Sequence, residues 1–223
     1  RFAIILARAG AKVALLNRSI DRSQQYAEQI VAEGGIAKAY QCNVLDRNQC
    51  FAVAEEVLKD FGPCDILVNG AGGNNPKGTT DKEYLFPEDL DKIGDIKTFF
   101  DLDPDGVSFV FNLNFLGTLI PTQVFAKDMA EKNCGNIINI SSMWGQVGAS
   151  CEALYSASKG AIDAYVKSLA KEYNISFSEA SAKTNQNVDE IFYNLEFQKE
   201  SEEKQYKNIL RFESYVFIIT MIL

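Results

Sequence analysis

The chain has 223 residues, of which 47% are hydrophobic and 23% are charged, and this composition excludes a disordered or collagen-like protein. Its net charge of −8, from 22 Lys and Arg against 30 Asp and Glu, disfavours a nucleic-acid surface, so no nucleic-acid partner is expected. The chain has no histidine, which excludes a Ser-His-Asp triad and a His-bearing zinc site. Acid–base chemistry near neutral pH must therefore come from a carboxylate, Tyr, Lys or Cys.

The five cysteines are scattered and form no C-x-x-C pair. This pattern argues against a disulfide framework and structural zinc, and it predicts a reducing, cytoplasmic location. The apolar end of the chain, residues 215–223, is far shorter than the roughly 20 residues that a membrane-spanning helix needs. We therefore expect a strand at this end and no membrane partner.

Helix-period and strand-like segments alternate along the first three quarters of the chain. The predicted strands are residues 13–16, 36–44, 65–68 and 136–140, and the predicted helices are residues 2–9, 21–33, the stretch between Asp46 and Gly62, 106–132 and 153–172. Strands separated by helices of this length form a parallel sheet with helices on both faces. The expected fold class is therefore α/β, a doubly wound, Rossmann-like sheet, in which ligands bind beyond the carboxyl ends of the strands.

Candidate chemical groups follow the fourth predicted strand. Ser141 and Ser142 come directly after it, and a glycine-bearing loop leads to a helix that carries Tyr155 and Lys159. The two helix residues are four positions apart, so they share one face, one turn apart. A Y-x-x-x-K pair alone is common in proteins, and its place after a strand and two serines is what makes it informative.

This arrangement resembles the active-site signature of short-chain dehydrogenases/reductases. The sequences N-I-I-N-I-S-S at 136–142 and Y-S-A-S-K-G-A at 155–161 carry the resemblance. The sequence N-G-A-G at 69–72 is similar to the family's N-N-A-G motif, and N-F-L-G at 114–117 resembles its helix motif with a fourth active-site residue. The resemblance implies an enzyme, an NAD(P)-dependent oxidoreductase that interconverts a ketone and a secondary alcohol.

The resemblance also implies a role for each of four residues. Tyr155 would exchange a proton with the substrate oxygen. Lys159 would supply the cation that a phenol, with an ordinary pKa of about 10, needs for this work, and it would hold the nicotinamide ribose. Ser142 would hydrogen-bond the substrate carbonyl, and Asn114 would position a water that links Lys159 to solvent.

The same resemblance predicts where a dinucleotide lies. Asn43 and Val44 stand where the family usually has Asp-Val beside the adenine. Asn17 and Arg18 stand where an acid reads the ribose of NAD or an Arg accommodates the extra phosphate of NADP, so NAD or NADP is expected with a slight lean toward NADP. Glycine leaves room for the close approach of a dinucleotide to the backbone after the third predicted strand. The residues expected there are Asn69, Gly70, Ala71 and Gly72.

The predicted partner is a small carbonyl or alcohol substrate, and two subfamilies compete for its identity. Residues 72–80, 97–103 and 115–125 resemble sugar-acid reductases of the D-mannonate/fructuronate type, which we favour. Residues 143–152 instead resemble beta-ketoacyl carrier-protein reductases. The insertion over residues 74–105 could cap the substrate or be a surface excursion. An intact member of the family is expected to be a homo-oligomer.

Two departures from the family pattern stand out. The first strand and its glycine-rich turn, T-G-x-x-x-G-x-G, should precede residues 1–9 and are absent, so we expect a loss of core and weakened or abolished cofactor binding. Residues 173–195 resemble the end of Ras/Rab small GTPases, including an S-A-K sequence at 181–183. A phosphate loop and an N-K-x-D sequence are both missing, so GTPase function is not expected.

These departures predict two domains and leave an alternative function open. Residues 1–172 would be an incomplete NAD(P)-binding dehydrogenase domain. Residues 173–223 would be a small-GTPase-like strand and helix followed by a charged and then apolar tail, as in a mosaic chain truncated at its start. The alternative to an active reductase is an inactive fragment or mosaic without catalysis.

Overall fold

The computed structural model describes residues 2–91, 94–179 and, as backbone, 216–221. Residues 1–163 together with 214–223 form one compact unit, and residues 164–213 form another. Every predicted site residue belongs to the first unit. The predicted domain boundary between residues 172 and 173 stays a prediction.

Parallel strands and helices alternate in the described residues. The strands are β1 (Lys12–Asn17), β2 (Ile36–Gln41), β3 (Ile66–Gly70), β4 (Asn136–Asn139) and β5 (Val216–Met221). The helices are α1 (Phe2–Arg8), α2 (Ile20–Ala32), α3 (Arg47–Phe61), α4 (Pro104–Phe111), α5 (Gly117–Phe125), α6 (Lys127–Lys132), α7 (Trp144–Val147) and α8 (Ala153–Glu172). One π-helical turn, Asn112–Leu116, joins α4 to α5.

The strands form one parallel sheet in the order β2-β1-β5-β3-β4. Helices cover both of its faces. Leu16 of β1 and Leu67 of β3 pack with α3 and α5 on one face, whereas Leu15 and Val68 pack with α1 and α2 on the other. This layering explains why the middle of β1 and of β3 is a continuous apolar run, because a parallel strand covered by helices is buried on both sides. The predicted α/β, Rossmann-like fold class is confirmed.

The central position of the sheet is filled by β5. Its backbone pairs in parallel with β1, with Val216 opposite Lys12, and with β3, with Phe217 opposite Ile66. The sequence analysis expected a loss of core here. The sheet is nevertheless continuous from β2 to β4, so the carboxyl ends of its strands lie along one edge.

Local signals account for the position of α3. Asp46 caps the helix by accepting the N–H groups of Asn48 and Gln49, at 3.0 and 3.1 Å. The helix ends at Gly62, whose φ of 92° suits a residue without a side chain. The preceding strand β2 ends at Gln41, three residues earlier than predicted, because residues 42–46 form the loop that turns into this cap.

The predicted long helix over residues 106–132 is not continuous. It begins at Pro104, contains the π-helical turn and divides into α5 and α6. Within the described residues, the stretch Pro104–Phe125 is long and apolar enough to cross a membrane. Its α5 portion packs against β3 and α3 and buries Pro121, Val124 and Phe125, as a core helix does.

The predicted small-GTPase-like segment is described only at its start. Helix α8 ends at Glu172, and residues 173–179 form no strand. The strand predicted at the beginning of this segment is therefore wrong for these residues. The S-A-K sequence at 181–183 and the helix predicted after it lie outside the described residues.

Candidate active site

The predicted site residues lie where parallel strands end. Asn17 is the last residue of β1, Asn43 and Val44 follow β2, Asn69 and Gly70 end β3, and Ser142 follows β4. The carboxyl ends of parallel strands meet at one edge of a sheet, which is where ligands bind in this architecture. The topology therefore brings together residues that are up to 125 positions apart in the chain.

Lys159 is the buried cation of this edge. Only 3% of the residue is exposed, and its Nζ donates a hydrogen bond to the carbonyl of Ile140 at 2.7 Å. The ammonium lies 5.8 Å from the ring centroid of Tyr155, which is half-buried on the same face of α8. Burial lowers the pKa of Lys159 below its ordinary value, and the charge of Asp163 opposes this effect. The structure therefore brings the predicted Tyr and Lys together and fixes the Lys at the end of β4.

Ser142 lies on the loop that enters α7. Its Oγ accepts the N–H of Trp144 at 3.2 Å. Neighbouring Ser141 donates its hydroxyl to the carbonyl of Lys159 at 3.5 Å. The serine loop and the Tyr–Lys helix are thus adjacent, as the predicted roles require.

A glycine pair that the sequence analysis missed sets this spacing. A methyl carbon added to Gly145 would lie 2.9 Å from the backbone N of Gly160 and 2.9 Å from the carbonyl carbon of Lys159. One added to Gly160 would lie 3.0 Å from the carbonyl oxygen of Gly145. The backbone of the serine loop therefore packs directly against the backbone of α8. The only sequence signal was a glycine three residues after Ser142 and another next to Lys159.

Asn114 joins three elements at the centre of the site. It is fully buried within the π-helical turn. Its Oδ1 accepts the N–H of Gly73, and its Nδ2 donates to the carbonyl of Gly73 and to the hydroxyl of Ser158, at 2.9, 2.9 and 3.0 Å. Ser158 in turn donates to the carbonyl of Tyr155 at 2.7 Å. The amide therefore connects the loop after β3 to α8, and the predicted role in placing a water stays a prediction.

The absence of a side chain at Gly72 leaves room for Asn114 and Lys159. A methyl carbon at this position would lie 2.6 Å from Oδ1 of Asn114 and 3.2 Å from Nζ of Lys159. Any side chain would therefore displace one of the two groups. The second glycine of the N-G-A-G sequence is therefore required by its contact with Asn114 and Lys159.

The other residues of the N-G-A-G sequence lie in or next to the core. Asn69 is buried, and its Nδ2 donates to Thr122 on α5 and to Asn139 on β4, at 2.9 and 2.8 Å. Ala71 is also buried, as is Val44. These three side chains are therefore shielded from solvent. Gly70 is partly exposed at the end of β3.

The loops after β1 and β2 form the more open part of the edge. Gln41 donates its side-chain amide to the carbonyl of Arg18 at 3.2 Å, which joins the two loops. Asn17 accepts the N–H of Ser19, and Asn43 accepts the N–H of Leu45, at 3.1 and 3.2 Å. Arg18 itself is exposed. Its guanidinium therefore remains available to an anionic group of a ligand.

Three relatives place this chain among known proteins. An uncharacterized oxidoreductase of Haemophilus influenzae is 48% identical over 165 residues, which are 74% of this chain and 57% of that protein. A crystal structure of a candidate D-mannonate oxidoreductase from Haemophilus influenza, with bound NAD, has a TM-score of 0.73 and 47% identity, and the match covers 77% of this chain and 60% of that one. A structure of an actinorhodin polyketide ketoreductase variant with NADPH has a TM-score of 0.65 and 25% identity, over 77% of this chain and 59% of that one.

The chain thus spans less than two thirds of the length of each of these relatives. Its residues 1–176 match the profile of the short chain dehydrogenase family. This match extends beyond residue 172 into the predicted small-GTPase-like segment, and the Ras/Rab resemblance and a mosaic chain find no support in these comparisons. Because the match covers far more than half of its residues, the chain belongs to the short chain dehydrogenase family.

Proposed function

We propose that the protein is an NAD(P)-dependent oxidoreductase that interconverts a ketone and a secondary alcohol. The observation that carries the proposal is the Lys159 ammonium, buried and held by the carbonyl of Ile140 beside the ring of Tyr155. A buried cation next to a phenol at the ligand-binding edge is an acid–base pair that needs no histidine. Family membership supports the same assignment.

In this proposal each side chain has one task. Tyr155 gives its phenolic proton to the carbonyl oxygen during reduction and takes a proton from the hydroxyl during oxidation. The Lys159 cation stabilises the phenolate form by charge attraction, which is strong because the ammonium is shielded from water. Ser142 donates a hydrogen bond to the substrate oxygen. The nicotinamide dinucleotide supplies the hydride or accepts it when bound.

The strand-end loops fit such a dinucleotide. Gly72 has no side chain where the backbone comes closest to Lys159, and Arg18 offers an exposed positive charge after β1. We propose that Arg18 and Asn17 lie at the adenosine end, with Asn43 beside the adenine. The positive charge of Arg18 favours NADP as the cofactor. The solved relative at 47% identity was determined with NAD, which favours NAD instead. We therefore propose that the protein uses NAD or NADP, with the Arg18 charge adding affinity for NADP.

We propose a sugar acid of the mannonate or fructuronate type as the substrate. The sequence resemblance of residues 72–80, 97–103 and 115–125 supports it, and so does the description of the solved relative as a candidate D-mannonate oxidoreductase. A beta-ketoacyl substrate is the second candidate, supported by residues 143–152. A homo-oligomer and a cytoplasmic location stay predictions.

Cofactor binding and turnover test the proposal together. NADH or NADPH at a hundred times its Kd should stabilise the folded chain by about 2.7 kcal/mol and raise its melting temperature. The 223-residue chain should then oxidise a hexonate with NAD(P)+, seen as absorbance of the reduced nicotinamide. A melting temperature that neither dinucleotide changes, together with no turnover of hexonates or beta-ketoacyl compounds, would contradict the proposal and favour an inactive fragment.

A further inference from the structure

The segment that leaves β3 comes close to α8 at two points. At its start, a methyl carbon added to Gly72 would lie 3.2 Å from Nζ of Lys159. Farther along, a methyl carbon added to Gly78 would lie 3.4 Å from the side chain of Leu154. Tyr155 lies between these two contacts on α8, next to Leu154 and one turn before Lys159. The residues between Gly72 and Gly78 therefore join two points of close approach to the helix that carries Tyr155.

Hydrogen bonds fix this segment at both ends. Gly73 is bonded through both its N–H and its carbonyl to the side chain of Asn114, at 2.9 Å each. Thr80 donates its N–H to the carbonyl of Cys151 at 3.1 Å, just before α8 begins. Between these points, Gly78 is buried. A backbone held in this way presents its side chains in fixed positions, which a selective binding site requires.

Asn74 is the first residue beyond the bonded Gly73, and its side chain is exposed. Its Oδ1 accepts the N–H of Asn75 at 2.8 Å, which orients the amide. Within the described residues its Nδ2 has no protein acceptor, so it offers two donors. The neighbouring Asn75 differs, because its Oδ1 caps the turn at Pro76–Gly78 by accepting the N–H of Lys77.

We propose that Asn74 binds the substrate by donating a hydrogen bond from Nδ2 to a hydroxyl or carboxylate oxygen near the reacting carbon. The inference rests on the proposed function and deepens it, because it assigns the preference for an oxygen-rich substrate to one residue. An acid with several hydroxyl groups supplies the acceptor. With a plain alkyl ketone, the amide of Asn74 would donate only to water. The insertion after β3 is then part of the substrate site.

The test measures binding without turnover. In the Tyr155→Phe background with NAD+ bound, calorimetry gives the Kd of D-mannonate for the otherwise unchanged chain, for Asn74→Ala and for Asn48→Ala. Asn48 is an exposed asparagine at the start of α3 and serves as the matched control. We expect Asn74→Ala to raise the Kd of the hexonate about tenfold, as the loss of a hydrogen bond to a charged acceptor does. Asn48→Ala should leave it unchanged, and neither change should alter the Kd of NAD+.

A second variant separates charge from shape. Asn74→Asp should weaken hexonate binding more than Asn74→Ala does, since it places a carboxylate opposite an anion. It should leave the binding of an uncharged hexitol unchanged. An equal Kd for the hexonate with and without Asn74, or no saturable hexonate binding, would overturn the inference. A loss of NAD+ affinity as large as the loss of hexonate affinity would also overturn it, since Asn74 would then serve the cofactor. Absent turnover in the chain with Tyr155 intact would count against the proposed function, whereas the binding comparison stands on its own.

Discussion

The two ends of the candidate site are built differently. At the catalytic end, Asn114 and Lys159 are buried and bonded to other elements, and glycines let backbone segments touch. At the end formed after β1 and β2, Asn17 and Asn43 accept N–H groups from residues two positions farther along, and Arg18 is exposed. The difference teaches that the proposed catalytic geometry is part of the core here, whereas the proposed adenosine end is more exposed.

This comparison predicts that changes at the catalytic end reduce both stability and activity, while changes at the adenosine end alter selectivity alone. The largest effect should come from Asn114→Ala. The change leaves the N–H and carbonyl of Gly73 and the hydroxyl of Ser158 without their buried partner. We expect the free energy of unfolding to fall by about 2 to 4 kcal/mol, measured by urea denaturation.

A matched control for this change lies two residues away. Asn112 belongs to the same π-helical turn, but its side chain is exposed, so Asn112→Ala should change stability by less than about 0.5 kcal/mol. Similar losses for the two variants would show that any substitution destabilises the π-helical turn and that the buried bonds of Asn114 are not the cause. That result would break the distinction between the two ends.

Gly145→Ala should have the next largest effect. The added methyl group would meet the backbone of Lys159 and Gly160 at 2.9 Å, so the serine loop must move away from α8. We expect a stability loss of about 1 to 3 kcal/mol from overpacking, and a fall in kcat because Ser142 moves with the loop. Gly160→Ala, whose methyl group meets one oxygen at 3.0 Å, should show a smaller version of both effects. An unchanged kcat in Gly145→Ala would contradict the positioning role.

Arg18→Ala should have the smallest effect on the fold. The side chain is exposed, so stability should change by less than about 0.5 kcal/mol. The Kd of NADPH should rise by roughly tenfold, while that of NADH stays nearly constant, because only the former carries the extra phosphate. Fluorescence titration with both dinucleotides measures the ratio. An unchanged ratio would remove Arg18 from the adenosine end.

Much of the scaffold followed from the sequence because its signals are local. Four apolar residues in a row predicted β1, and Asp46 predicted the start of α3. The continuous helix over residues 106–132 was wrong because periodicity cannot reveal an inserted π-helical turn. That turn matters, since it carries Asn114 into the site.

Contacts between distant elements could not be predicted from the sequence. The bonds of Asn114 to Gly73 and Ser158 join positions more than 40 residues apart, and no local pattern encodes them. The same holds for Gly145 against Gly160, and for β5, whose place at the centre of the sheet depends on strands near the start of the chain. The sequence motifs pointed to Tyr155 and Lys159 as candidates, which lie together in the structure, whereas the groups that position them could not be predicted.

The turnover of Tyr155→Phe tests the central claim most directly. The change removes one oxygen from the half-buried ring beside Lys159 and leaves the aromatic surface in place. Initial rates with NAD(P)+ and a hexonate should fall by about 10² to 10⁴, while the Kd of the dinucleotide stays the same, because a positioned acid–base group is lost. A rate in Tyr155→Phe within a factor of two of the unmodified chain would contradict the assignment of this residue as the proton donor and acceptor.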